Sequence, residues 1–229
     1  MVTSSHLNKE ILDQLHLNSL PKVTRDSFLQ CTLSPFFSSG GWYLAGGTAM
    51  ALQVGHRQSV DLDFFTQQKT FDEKKVEESL SELGDWETSS LSRGTIYGQF
   101  CKAKMSLISY PFFIPAEALF QVGTVSVLTP PDIAVMKIVA ISQRGKKRDF
   151  FDLYWLCKNT QPLIKSIECV ERQYSVHQNF NHIIKSLTYF EDAESDPTPN
   201  LSLNVSWEEV KKFFQREVTA IAKKVMMLD

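Results

Sequence analysis

The chain has 229 residues, of which 43% are hydrophobic and 11% aromatic, enough to bury one large core or a core with an extension. Its formal net charge of −2 excludes an overall basic field of the kind that binds nucleic acid non-specifically, although a local basic patch is compatible with it. No apolar run approaches the roughly 20 residues that span a bilayer, and no secretory signal is visible, so we expect a cytoplasmic protein without membrane contact.

The first half of the chain predicts helices followed by a sheet. Apolar residues recur at helical spacing from about Ser5 to Leu33, and Pro21 divides this run into two helices. The segments that follow predict, in order, a strand in "GWYLAG", a helix in "GGTAMALQVG", a strand at Ser59–Phe65, an amphipathic helix at Phe71–Leu83, strands at Trp86–Leu91, Ile96–Phe100 and Lys102–Ser109, and an extended segment at Phe120–Leu128.

The second half predicts helices only. "TPPDIAVMKIVAISQRG" has the prolines of a helix start and the glycine of a helix end, and "KKRDFFDLYWLCKN" begins another helix. Helical spacing continues from Pro162, interrupted by an acidic, proline-bearing loop at Glu191–Asn200.

The predicted fold class is therefore α+β, a mixed β-sheet core flanked by helices, with a helical C-terminal half. We divide the chain into N-terminal helices that pack on the core (residues 1–32), the α/β core (33–128) and the helical region (129–229). The four cysteines, Cys31, Cys101, Cys157 and Cys169, form no CxxC pair, so we expect buried free thiols.

Two aspartates in the second predicted strand are the first candidate site. Alternation places Asp61 and Asp63 on the same face, with Cβ atoms about 6–7 Å apart. Two carboxylates at this separation can share a hard cation such as Mg²⁺, although a solvated strand face is the alternative. The preceding Gly46–Gly47–Thr48 opens a helix, and N–H groups at such a helix start bind phosphate.

A second group of charged residues lies in the helical half. Lys137 sits in an aliphatic helix, so it must either extend to water or pair with a specific partner. Asp149 and Asp152 share one face of the next helix, where acidic residues also stabilise the helix dipole and Arg148–Asp152 is an ordinary i,i+4 pair. The basic residues at 144 and 146–148 form a patch that can guide a polyanion such as tRNA.

Together these motifs resemble the polymerase-beta-type nucleotidyltransferases, and specifically the AbiEii/AbiGii toxin-like family. In that superfamily a Gly-Gly or Gly-Ser turn precedes a short helix and a strand with a DxD motif. The family resembled here adds an H-R-x-S-x-D-x-D-F strand, a lysine-containing helix and an R-D-x-x-D-like segment. This chain has "GHRQSVDLDFF" and "DIAVMKIVAISQRGKKRDFFDLYWL", so the resemblance runs from about Tyr43 to Leu156.

The resemblance implies roles for individual residues, with the helical region completing the active-site cleft. Catalytic roles fall to Asp61, Asp63, Lys137 and Asp149, of which Asp61 and Asp63 also bind Mg²⁺ or Mn²⁺. Nucleotide and phosphate binding falls to Gly46, Gly47, Thr48, Arg57, Ser59, Arg148 and Asp152. For Arg57 the alternative is a surface arginine, for Ser59 strand packing or a turn hydrogen bond, and for His56 a capping or packing role.

One expected feature is missing from the sequence. The superfamily normally carries a third carboxylate on a following strand, but the corresponding segment, "FCKAKMSLISY", has Lys102, Lys104 and Ser106 and no acid. Either Asp149 or another carboxylate substitutes for it, or a lysine makes a different substrate contact, or the site is catalytically weakened.

The implied activity is Mg²⁺-dependent transfer of an NMP from an NTP, such as ATP, to an acceptor. The family implies the toxin of a bacterial toxin–antitoxin or phage-defence (abortive infection) pair, with RNA, especially tRNA ends, as acceptor and a cognate antitoxin as protein partner. Two alternatives remain open: a nucleotide-binding protein of the same fold without turnover, and a nucleotidyltransferase that modifies an antibiotic or another small molecule.

Overall fold

The structure is a computed structural model that describes residues 9–226, with side chains described as far as residue 224. The chain divides between Thr129 and Pro130 into two compact units. The part of the predicted first helix that precedes residue 9 lies outside the described residues.

Among its described residues, from residue 9 onward, the first unit contains five α-helices and a short 3₁₀ helix at Leu17–Ser19. The α-helices are α1 (Lys9–Asp13), α2 (Lys22–Cys31), α3 (Pro35–Ser39), α4 (Gly46–Val54) and α5 (Glu73–Leu83). Pro21 is the N-terminal cap of α2, so it ends the preceding segment as predicted. The short helix α3 was not predicted; the Ser34 hydroxyl caps its first turn and Pro35 occupies its first position.

The described part of the same unit also contains a mixed sheet of seven strands in the order β3-β4-β5-β2-β1-β7-β6. The strands are β1 (Tyr43–Ala45), β2 (Leu62–Thr66), β3 (Trp86–Ser92), β4 (Thr95–Phe100), β5 (Ala103–Ser109), β6 (Phe120–Val122) and β7 (Val125–Val127). β2 pairs antiparallel with β1 and parallel with β5. The mixed sheet confirms the predicted α+β class. The predicted extended segment at 120–128 is a hairpin, because Gly123 adopts a φ of +59° at its centre.

The two faces of the central strands differ in chemistry. Leu62 and Phe64 of β2 are fully buried, whereas Asp61 and Asp63 are partly exposed. On the buried side, α2 is held by the Ser27 hydroxyl, which donates to the Phe100 carbonyl oxygen at 3.0 Å. The strand alternation therefore directs Leu62 and Phe64 into the core and leaves Asp63 on the other face. Because β2 begins at Leu62, Asp61 lies in the segment before the strand rather than inside it, as the prediction of a strand at Ser59–Phe65 had placed it.

In the second unit, residues 130–226 form six helices. They are α6 (Pro130–Arg144), α7 (Lys147–Asn159), α8 (Leu163–Gln173), α9 (Phe180–Ser186), α10 (Glu191–Glu194) and α11 (Trp207–Met226). The predicted acidic loop thus contains a short helix, α10. The core of the second unit includes Phe150, whose ring lies 5.3–5.6 Å from the rings of Phe190, Trp207 and Phe214. Within residues 9–226, none of the helices combines the length and apolar character required of a bilayer-spanning segment.

The cysteines are free thiols, as predicted, but only Cys31 is fully buried. Cys101, Cys157 and Cys169 are partly exposed, so the expectation of four buried thiols is wrong for three of them. Cys101 lies in the turn between β4 and β5, and Cys157 and Cys169 lie within α7 and α8, where the apolar sequence pattern does not reveal how much solvent reaches the side chain.

Candidate active site

The glycine turn joins β1 directly to α4. Ala45 is the last residue of β1 and Gly46 the first residue of α4, with a φ of +68° that only glycine adopts at little cost. The first N–H groups of a helix have no partner within the helix and carry its partial positive charge. The Gly46–Thr48 segment therefore presents N–H groups in the arrangement that suits a phosphate oxygen.

The Asp63 carboxylate faces this turn. Asp63 lies opposite Ala45 of β1 and opposite Ser106 of β5. Its Oδ1 accepts a hydrogen bond of 2.6 Å from the Ser106 hydroxyl. Its Oδ2 lies 3.4 Å from the point that a Cβ atom on Gly46 would occupy. The glycine thus allows the backbone at the helix start to approach a carboxylate closely.

Thr48 connects the turn to the segment that leads into β2. Its hydroxyl donates to the carbonyl oxygen of Asp61 and lies 2.9 Å from the Ser59 hydroxyl. The Ser59 hydroxyl therefore contacts α4 across the intervening loop. His56 is also buried, in keeping with a packing role. These contacts fix the backbone of Asp61 relative to α4.

Arg57 packs on the second glycine of the turn. Its side chain is only 5% exposed, so the alternative of a surface arginine is wrong. Its Nη1 donates to the Gln58 carbonyl oxygen at 2.8 Å, and its Nη2 lies 2.4 Å from the point that a Cβ atom on Gly47 would occupy. The absence of a side chain at position 47 thus makes room for a guanidinium beside the helix start.

The two carboxylates fit a hard divalent cation. Aspartate oxygens are the donors that Mg²⁺ and Mn²⁺ prefer, and Mg²⁺ is commonly held by one or two carboxylates together with substrate phosphates. Among residues 9–226 there is no group of three or more His, Cys, Asp or Glu residues that could hold a metal ion. A cation at Asp61 and Asp63 would therefore complete its coordination with water or with the phosphates of a bound nucleotide.

The helical unit contains a buried charge network. Lys137 of α6 places its Nζ 2.7 Å from Asp149 Oδ1 and 2.6 Å from Asp152 Oδ2, both on α7. Arg144 adds bonds of 2.9 and 3.1 Å to the two oxygens of Asp149. Burial raises the pKa of Asp149, but the charges of Lys137 and Arg144 outweigh burial and hold the pKa below its ordinary value. Lys137 therefore pairs with specific partners rather than extending to water.

The rest of the basic patch is divided between internal contacts and solvent. Lys147 is buried, and its ammonium donates to the carbonyl oxygens of Glu194 and Asp196. Lys146 forms an ion pair of 3.2 Å with Asp196. Arg148 is exposed. Of the four basic residues predicted to guide a polyanion, Lys147 is thus used to hold the start of α7 against the acidic segment.

Comparison with known proteins identifies the family. The family model described as nucleotidyl transferase AbiEii toxin, type IV TA system, matches residues 27–92 and 104–225. The chain belongs to this AbiEii family. An uncharacterized protein of Aquifex aeolicus is 36% identical over 180 residues, which cover 77% of this chain and 86% of that protein.

Solved structures share the fold of this AbiEii protein. A protein from H. pylori assigned as a nucleotidyltransferase has a TM-score of 0.53 at 18% identity, covering 91% of this chain and 99% of its own. The nucleotidyltransferase toxin MenT4 from Mycobacterium tuberculosis has a TM-score of 0.50 at 16% identity, covering 89% of this chain and 87% of its own. Both confirm the predicted nucleotidyltransferase fold.

Sequence reasoning missed two contacts of this AbiEii chain. One is the bond from Ser106 to Asp63, and the other is the pairing of Lys137 and Arg144 with Asp149. For the bond between Ser106 and Asp63, the only indication in the sequence was a serine in the strand expected to carry an acid. The isolated lysine of α6 and the acidic start of α7 were the signals for the second.

Proposed function

We propose that this AbiEii protein is a Mg²⁺- or Mn²⁺-dependent nucleotidyltransferase that moves an NMP from an NTP to a hydroxyl acceptor and releases pyrophosphate. The observation that carries the proposal is the Asp63 carboxylate facing the glycine-entered start of α4. This arrangement brings a carboxylate ligand for a cation next to N–H groups that suit phosphate, and nucleotide phosphoryl chemistry requires both.

Each part of the first unit has a role in this proposal. Asp61 and Asp63 would hold the cation, which when bound neutralises phosphate charge and favours departure of pyrophosphate. The N–H groups of Gly46–Thr48 would bind phosphate oxygens, and Arg57 would add a fixed positive charge beside them. Thr48 and Ser59 would keep the Asp61 backbone in register with α4 through their hydrogen bonds.

The residues of the helical unit complete the proposal. Lys137 and Asp149 are proposed to act in catalysis, and Arg148 and Asp152 in nucleotide binding. The support is the family's lysine-containing helix and R-D-x-x-D-like segment, both present here, together with the depressed pKa of Asp149. Ionisable groups whose pKa is shifted by burial and specific partners are frequent in functional sites.

For the biological context we propose the toxin of a toxin–antitoxin or phage-defence pair, with RNA, in particular tRNA ends, as acceptor. The family description names a toxin of a type IV system, and the structural neighbour MenT4 carries the name of a toxin. A cognate antitoxin protein is the partner that this context implies.

A second candidate function is supported by one observation. Ser106 stands on β5 where an acid was expected, which favours a nucleotide-binding protein with weak or no turnover. Binding of an NTP and a divalent cation without pyrophosphate release would establish this function and exclude the transferase.

The test is transfer of label from each of the four NTPs to total RNA in the presence of Mg²⁺ or Mn²⁺. Wild type would be compared with Asp61→Ala, Asp63→Ala and the control Asp85→Ala, which removes an exposed aspartate of the same unit. We expect transfer by wild type and the control and none by the two site variants. Absence of transfer under every condition, or its survival in both site variants, would contradict the proposal.

Toxicity is measured separately by inducing wild type or Asp63→Ala in bacteria. We expect growth arrest with wild type only. Equal arrest by both proteins would show that any toxicity is independent of nucleotidyl transfer.

A further inference from the structure

Ser106 occupies a defined place beside the carboxylate pair. β5 runs parallel to β2 as its neighbour, and the register sets Ser106 directly opposite Asp63. Met105 and Leu107, on either side of it, face the core and are almost fully buried. Ser106 therefore points to the same face of the sheet as Asp63, on the strand where the superfamily carries its third acid.

The hydrogen bond between the two side chains is short. The Ser106 hydroxyl donates to Asp63 Oδ1 at 2.6 Å, a separation typical of an O–H···O⁻ bond to an ionised carboxylate. Ser106 is only 3% exposed, so water competes little for this bond. The bond restrains the rotation of the carboxylate and leaves Oδ2 directed toward Gly46.

In the absence of a cation, a carboxylate at position 106 would repel the Asp63 carboxylate instead of holding it by a hydrogen bond. Side chains directly opposite on neighbouring strands are close enough for like charges to repel. One of the two acids would then be protonated more readily. A serine keeps the place polar, supplies a donor and adds no charge.

We infer that Ser106 is a positioning residue that takes the place of the third acid and orients Asp63 for the divalent cation. The inference rests on the proposed function, because it assigns Ser106 to the same site. The protein would accordingly use two carboxylates set in place by a hydroxyl, rather than three carboxylates.

The first experiment measures the affinity for Mn²⁺ alone by titration calorimetry. Ser106→Ala should bind Mn²⁺ about 10–100-fold more weakly than wild type, which is the usual effect of removing a group that orients a metal ligand. Ser106→Thr keeps a hydroxyl and should restore most of the affinity. The matched control is Ser27→Ala, which removes another buried serine hydroxyl of the same unit and should leave the affinity unchanged.

A second experiment reintroduces the acid. Ser106→Asp should melt at a lower temperature than wild type without metal, and Mn²⁺ should raise its melting temperature by more than it raises that of wild type. The carboxylate introduced in Ser106→Asp can bind the cation only if position 106 lies within reach of it. The inference is overturned if Ser106→Ala binds Mn²⁺ as tightly as wild type, or if Ser106→Asp gains no extra stabilisation from Mn²⁺.

These measurements separate the inference from the proposed function. If wild type binds Mn²⁺ but transfers no nucleotide, the transferase proposal fails while the affinities still decide the role of Ser106. If transfer depends on Asp63 but both kcat and KM are unchanged in Ser106→Ala, the transferase stands and Ser106 has no positioning role. If wild type binds no divalent cation, the inference is wrong.

Discussion

At the scale of single residues, the first glycine of the turn has a backbone role and a site role that can be separated. Gly46 and Gly41 both adopt positive φ values, of +68° and +64°. A Cβ atom on Gly41 would meet nothing nearer than Thr66 Oγ1 at 3.9 Å, whereas one on Gly46 would lie 3.4 Å from Asp63 Oδ2. Only Gly46 therefore combines a left-handed backbone with contact to the carboxylate.

We predict that Gly46→Ala and Gly41→Ala each lower the free energy of unfolding by roughly 1 kcal/mol, the cost of a left-handed alanine. Only Gly46→Ala should also weaken Mn²⁺ and NTP binding, because its methyl group lies against the Asp63 carboxylate. Urea unfolding and titration calorimetry on both variants test this. Equal binding by the two variants would contradict the site role of Gly46.

At the scale of elements, α6 and α7 are joined by buried ions rather than by apolar packing alone. Lys137 is shared by two carboxylates that are themselves fully buried. Removing one member of a buried ion group leaves its partners charged and desolvated, which is more destabilising than loss of an exposed pair.

We therefore predict that Lys137→Met destabilises the protein by about 3–5 kcal/mol. Lys146→Met, which breaks the pair to Asp196 where the lysine is 48% exposed, should cost less than about 1 kcal/mol. Chemical denaturation of the full chain measures both. A small loss for Lys137→Met, combined with loss of nucleotide transfer, would instead favour a role in catalysis without a role in stability.

The same network predicts a pH dependence. The folded-state pKa of Asp149 lies below the ordinary value of the group. Its contribution to stability is therefore complete above the pKa of an unfolded aspartate, about 3.9, and is lost as the pH falls through the folded-state pKa. Asp149→Asn should therefore lower stability near neutral pH and show a shallower fall below about pH 4. Asp85→Asn, at an exposed site, is the control and should follow wild type. If the stability of Asp149→Asn falls below pH 4 as steeply as that of wild type, Asp149 is not the source of the pH dependence.

At the scale of the whole molecule, the free thiols should differ in reactivity. Burial raises the pKa of Cys31 well above its ordinary value, and burial together with the charge of Glu217 raises the pKa of Cys157 to about 12. Since the thiolate is the reactive form, we predict that iodoacetamide at pH 8 modifies Cys101 and Cys169 before Cys31 and Cys157. Mass spectrometry of the native protein, with the denatured protein as control, gives the order. Early modification of Cys31 would indicate local opening of α2.

Local sequence patterns predicted the helices and strands, whereas the contacts of the candidate site depend on residues that are distant in sequence. The alternation around Leu62 and the glycine-to-glycine helix of α4 follow from periodicity and from residue-specific backbone preferences. The bond between Asp63 and Ser106 joins residues 43 positions apart and depends on the parallel register of β2 and β5, which no local pattern encodes. The partners of Lys137 were likewise unpredictable, because a lysine in an aliphatic helix can extend to water or pair inward.

Because Arg57 packs directly on Gly47, the uncharged residue at position 47 determines where the Arg57 guanidinium lies. A Cβ atom at position 47 would collide with the end of the arginine side chain, which is flexible enough to swing aside. Exchange of Gly47 would therefore shift the electrostatic potential at the start of α4 while every ionisable residue stayed the same. In relatives whose turn is Gly-Ser, we expect the guanidinium to lie elsewhere, so the second residue of the turn tunes how strongly this helix start attracts an anion.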